Sequence, residues 1–147
     1  MDPIISKNRG WIHIRNGKYS FWYAGNVSKK QLLHIKSVLI SYDKSKLEIL
    51  KKLLGEFKGN FSIIFKNKSL IFAAVDKIKS IPIFIGKLKK NFLLSNYAPN
   101  LLKFIDTKEK NNDALLSLIM AGYTIGRMTL YKNILQLSGG EICIIKN

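Results

Sequence analysis

Few residues in this chain could do chemistry. Cys143 is its only cysteine, His13 and His34 are its only histidines, and 9 acidic residues stand against 25 basic ones. Two histidines in a carboxylate-poor chain make neither a metal site nor a serine triad; they read as a strand residue and a helix-face residue. A lone cysteine closes no intramolecular disulfide and forms no zinc cluster, which suits a reducing compartment, and Cys143 reads as a buried, inert thiol. Asp76 closes one apolar run and Pro82 opens the next, the positions of a turn-former and a steric stop. Ser138-Gly139-Gly140 would cradle phosphate only in a strand-loop-helix setting, which is lacking, so a hairpin turn is the better reading. Ser6 or Ser20 could attack only as a new amino terminus, after an internal cut that no motif signals.

The formal charge is +16, a value that usually points to nucleic acid or an anionic surface. Its source argues otherwise. Arginine, the bidentate reader of phosphate and guanine, occurs only at Arg9, Arg15 and Arg127, and the remaining basic residues are lysines spread over every segment. Three pairs, Lys29-Lys30, Lys51-Lys52 and Lys89-Lys90, are the only local concentrations, and solvation explains them as well as a binding patch does. No apolar run of about 18 residues exists and the amino terminus lacks a signal-type core, so a cytoplasmic protein with no membrane span is expected.

The elements that must position these residues are legible from period and punctuation. Trp11 to Arg15 and Lys18 to Tyr23 flank Asn16-Gly17, the dipeptide most apt for a type I′ hairpin turn. Ser28 is an N-cap for a helix over about 29–41, with Leu32, Leu33, Ile35, Val38 and Leu39 at helical spacing. A second helix starts near Lys44 and stops at Gly55, in one layer with the first. Asn60 to Phe65 and Leu70 to Val75 are apolar runs too short for helices, hence two buried strands joined by a turn at 66–69. Pro82 starts a short strand that pairs with Phe92-Leu93-Leu94 across a connection over 86–91. Tyr97 to Phe104 is a helical turn, and Asn111 or Asn112 caps a helix over Asp113 to Ala121 that Gly122 closes. Leu130 to Leu137 is extended, and Glu141 to Ile145 is a last strand. The length suits one domain, 1–147, with helices packed on sheets in an α+β sandwich.

Four blocks in this order resemble the amino-terminal glutaminase domain of the asparagine synthetase family, over about residues 22–145. They are Tyr23-Ala24-Gly25-Asn26-Val27 with Gln31-Leu32; Gly59 to Phe65; Ala74 to Phe84, keeping Asp76 and Pro82; and Ala121-Gly122 with Thr129 to Gly140. The resemblance implies a four-layer α-β-β-α amino-terminal-nucleophile hydrolase fold of two antiparallel sheets, shortened at its amino-terminal edge. It also implies a class II glutamine amidotransferase ancestry, in which ATP and Mg²⁺ belong to a separate synthetase domain that this chain does not contain.

In that family the first residue of the mature chain is both nucleophile and, through its free amine, proton relay. This chain begins Met1-Asp2-Pro3, with no cysteine, serine or threonine in that place. The resemblance sets Ala24 where the family has the asparagine of its oxyanion pair; Gly25 remains, and Asn26 could replace the lost donor only in a shifted register. An ungapped reading puts Lys46 where an aspartate should hold the substrate ammonium, and the like charges would repel. Asp43 is the equivalent if a gap is allowed. Arg9 and Arg15 are unassigned. Ala24, Gly25, Asn26, Lys46 and Asp76 thus form a degenerate glutamine pocket, with no catalytic residue and no metal ligand. The expectation is an inactive glutaminase-like domain docking on an ATP-dependent asparagine-synthetase-type partner, with homo-oligomerisation left open. The alternatives are a residual glutamine amidohydrolase and a basic nucleic-acid-binding module.

Overall fold

The alternation of apolar residues sorts the strands into two antiparallel sheets. The computed structural model describes residues 2–6, 9–88, 91–105 and 109–146. Strands β1 (Ile12–Asn16), β2 (Tyr19–Gly25), β3 (Phe61–Asn67), β4 (Leu70–Val75) and β8 (Ile142–Lys146) form a five-stranded sheet in the order β1-β2-β3-β4-β8. Strands β5 (Phe84–Leu88), β6 (Asn91–Ser95) and β7 (Ile134–Gln136) form a second, in the order β6-β5-β7. Helices α1 (Lys29–Ile40), α2 (Leu47–Gly55), α3 (Ala98–Leu101) and α4 (Asn112–Ala121) complete an α+β fold.

Side chains at period two divide the large sheet's faces between two cores. Phe61, Ile63 and Phe65 of β3 and Leu70, Phe72 and Ala74 of β4 pack with Leu32, Ile35 and Leu39 of α1 and with Leu50 and Leu54 of α2. Their neighbours Ile64, Ile71, Ala73 and Val75 point the other way, with Trp22, against Ile83, Ile85, Leu94 and Leu137 of the small sheet and its flanks. A third cluster joins Leu93 and Ile134 to Leu101 and Ile105. Full burial of a side chain such as Phe65, Phe72 or Ile64 stabilises the fold by roughly 1.5–3 kcal/mol each, and all three are inaccessible.

The helix borders follow their caps. Ser28 accepts from the Gln31 amide at 3.3 Å while the Gln31 side chain accepts from the Ser28 amide at 3.1 Å, a reciprocal capping box. Asn111, rather than Asn112, caps α4 by accepting from Ala114 N at 3.2 Å, and Gly122 ends it in the left-handed conformation.

Several borders differ from the sequence reading. The hairpin register pairs Asn16 with Tyr19, so the turn residues are Gly17-Lys18, and neither has positive φ. The turn is therefore not type I′, which needs positive φ at both central residues. The strand expected at Pro82 begins at Phe84; proline brings no N–H to a ladder, and the first link across is Leu137 N to the Ile83 carbonyl at 2.9 Å. Leu130 to Leu137 is not one extended run. The Thr129 hydroxyl bonds the Ile134 carbonyl at 2.7 Å and folds 129–133 into a turn, which leaves only Ile134–Gln136 as strand. The second helix opens with a separate 3₁₀ turn, Lys44–Lys46. The Lys89-Lys90 pair lies outside the described residues.

A segment with no strand signal of its own also joins the small sheet. Ile4 bridges Ser95 in parallel, Ile4 N donates to the Leu94 carbonyl at 2.8 Å, and the buried Asn96 bonds the Ser6 backbone at 2.8 and 3.1 Å. These links span about 90 residues of sequence.

Candidate functional site

Gly25, Asn26 and Asp76 meet at one end of the large sheet. Gly25 is paired with Phe61, Asn26 N donates to the Asn60 carbonyl at 2.8 Å, and Asp76 N donates to the Phe61 carbonyl at 3.0 Å. Gly25 has φ +96°, and a Cβ on it would stand 2.2 Å from the Asn60 carbonyl oxygen. Glycine is required here for close approach of backbone to backbone. Asn26 is exposed just beyond it. Ala24 is buried, shares the face of Trp22, and lies across from Ser62, whose hydroxyl is taken by the Ile81 carbonyl.

Asp76 is only 3% exposed, and backbone amides surround its carboxylate. Oδ2 accepts from Phe61 N at 3.2 Å and from Ser80 N at 3.1 Å; Oδ1 accepts from Ile78 N at 2.9 Å and from the Ser80 hydroxyl at 3.3 Å. This ties the start of β3 to the loop over 76–81, and it accounts for the aspartate without any ligand. Lys79 in the same loop is the one described non-glycine residue with positive φ, at 55°. Ser138-Gly139-Gly140 turns against this loop. A Cβ at Gly139 would lie 2.2 Å from the Lys77 carbonyl oxygen, and Gly140 N donates to the Asp76 carbonyl at 2.8 Å. The turn buttresses the Asp76 loop.

Lys46 is not brought to this end. Its ammonium bonds the Ser41 carbonyl at 2.5 Å and the Ser41 hydroxyl at 2.8 Å, just past the carboxy terminus of α1. Twelve helical residues span about 18 Å, so α1 separates Lys46 from the Ser28 cap that follows Gly25 and Asn26. A cation there meets the negative end of the helix dipole. Asp43 lies beside it, as the cap of the 3₁₀ turn, and its hydrogen bonds from Ser45 hold its carboxyl below the usual carboxylate range. Asp2 pairs with Lys66, five residues along β3 from Phe61; at about 3.3 Å per residue that is roughly 16 Å from the Gly25 end. Ser6 is engaged with Asn96 and Asn100.

A cavity of about 570 Å³ opens on the helix side of this end, lined by Lys51, Leu54, Phe57, Asn60, Phe61 and Asp76 among others. Of its polar groups, Lys51 bonds Glu48 at 2.6 Å, and Asp76 and Ser80 bond each other and the backbone. Among the described residues no three His, Cys, Asp or Glu side chains gather where they could hold a metal ion. His13 stacks on Trp22 with ring centroids 4.5 Å apart, and His34 is exposed on α1.

Cys143 lies on the inter-sheet face of β8 beside Ala73. Burial pushes its thiol up, and the nearby Glu141 carboxylate adds to the shift. Only the thiolate attacks an alkylating agent, so at pH 8 the native thiol is expected to react with iodoacetamide more than about tenfold slower than the urea-unfolded chain. Equal rates, followed by mass spectrometry, would contradict this placement.

No family model matches the chain, and no curated protein does. Among solved structures, the chain is similar to a glutamine phosphoribosylpyrophosphate amidotransferase from B. subtilis, complexed with ADP and GMP, with a TM-score of 0.43 and 16% identity over 93% of this chain. The likeness is to a glutamine amidotransferase. It spans 29% of that protein's chain. Among the described residues, no helix is long and apolar enough to cross a membrane.

One residue the sequence reading passed over proves structural. Gln136 is buried, and its amide nitrogen donates to the Thr124 hydroxyl and the Met128 carbonyl, both at 3.0 Å, which pins the loop after α4. A lone glutamine in an alternating run carries no signal of that task. The Ser28-to-Gln31 capping box, by contrast, was readable as Ser-x-x-Gln.

Proposed function

We propose that this chain is a glutaminase-like domain of the asparagine synthetase type that does not hydrolyse glutamine, and that it docks on an ATP-dependent amide-forming partner. ATP and Mg²⁺ belong to that partner in this reading. The observation that carries it is the state of the Gly25 end: each family landmark retained there holds backbone in place. Gly25 packs on Asn60, the Asp76 carboxylate is occupied by amides of Phe61, Ile78 and Ser80, and Ala24 is buried opposite Ser62. Oxyanion stabilisation needs donors aimed at open space, and a substrate ammonium needs a free carboxylate. The Asp76 carboxylate is not free for that role, and a buried alanine, Ala24, stands at the family's oxyanion asparagine. The three core clusters, helices on the large sheet, sheet on sheet, and α3 on the small sheet, support the four-layer α-β-β-α sandwich of that class.

The test is affinity capture of the tagged chain from its own cells. Co-elution at equal stoichiometry with a protein that makes amides from ammonia and ATP is the expected result. Elution with nucleic acid that raised salt removes would favour the basic binding module and contradict the proposal.

A further inference from the structure

From Ala114 to Ala121 helix α4 is apolar but for Ser117, and yet it is barely seated. Of its ten residues only Ala114 is buried, whereas Leu116, Ile119 and Met120 are 57%, 73% and 78% exposed, with Leu115 and Leu118 partly so. Tyr123 and Ile125 extend the same exposed surface past the helix. A contiguous exposed apolar surface of this extent marks an interaction site, so this one requires a cover. The surface is also built in advance. Asn111 caps the helix and its N–H donates to the Leu130 carbonyl at 3.0 Å, Gly122 closes the other end, and Gln136 holds the loop over 124–128.

The geometry points to a second copy of this chain as the cover, packed α4 against α4 about a twofold axis. Two observations select that occupant. Residues 111–126 contain no lysine or arginine, the longest such stretch in a chain of charge +16, and Asp113 is their one charged residue. Elsewhere two copies would oppose lysine to lysine, whereas here they meet without like-charge contact. The exposed parts of the seven apolar residues from Leu115 to Ile125 amount to roughly 800 Å², the contribution each partner makes to a standard-size interface. A lipid surface fits poorly, because interfacial helices carry lysine or arginine on a polar face and α4 has neither. This inference stands independently of the glutaminase-like reading.

Analytical ultracentrifugation of the full chain up to about 100 μM tests it. A monomer–dimer equilibrium is expected, and it should strengthen as salt rises from about 0.05 to 0.5 M, because screening removes repulsion between two cations. Ile119→Lys and Met120→Lys, both at exposed positions, should each weaken the dimer more than about 100-fold while leaving circular dichroism and Tm unchanged. A wild-type chain that stays monomeric, or a dimer that survives both substitutions, would overturn the proposal. So would a monomer that pellets with phosphatidylcholine vesicles containing about 30% phosphatidylserine through these same residues.

Discussion

Gly25→Ala is expected to destabilise the fold by about 3 kcal/mol or more, the largest effect of any conservative single substitution at this end of the sheet. Two costs add. Left-handed backbone costs an L-residue about 1–2 kcal/mol, and the new methyl group would stand 2.2 Å from the Asn60 carbonyl oxygen at φ +96°. That oxygen also receives Asn26 N at 2.8 Å, so it cannot retreat without opening the link between β2 and the start of β3. Gly17→Ala is the matched control, since nothing lies within 4 Å of its Cβ and its φ is not positive. It should be neutral or stabilising by a few tenths of a kcal/mol. Urea unfolding measures both, and equal midpoints would contradict the packing described for Gly25.

Asp76→Ala should cost about 3 kcal/mol as well, for a different reason. The substitution strands the buried Phe61 amide, where an unpaired donor costs about 1–3 kcal/mol, and takes the acceptor from the part-buried amides of Ile78 and Ser80, which loosens the loop over 76–81. Asp76→Asn keeps one acceptor oxygen and should lose markedly less. If the aspartate instead served a ligand, both variants would keep full stability in the ligand's absence. A loss below about 1 kcal/mol for the alanine variant would therefore count against its structural role.

Local signals and long-range ones fared differently. The short, nearly continuous apolar runs at Phe61–Phe65 and Leu70–Val75 were legible because burial on both faces leaves little besides apolar side chains. Ser28, Asn111 and Gly122 marked helix ends through chemistry confined to a few residues. What was not legible depends on distant partners. The bridge from Ile4 to Ser95 needs β6 in place, and the start of β5 at Phe84 is set by Leu137, more than fifty residues on. Asn16-Gly17 misled because hairpin register, not the dipeptide, decided which residues turn. The site shows the same division. Sequence order placed Gly25 and Asp76 as landmarks, but only the fold shows that Gly25, Asn26 and Asp76 meet while Lys46 sits a helix length away.

The central claim, a glutaminase-like frame without glutamine hydrolysis, is tested most directly by glutamate release from glutamine at high concentrations of the purified chain. The account predicts a rate indistinguishable from buffer. Release that scales with protein and disappears in an Asn26→Ala variant of unchanged stability would contradict it.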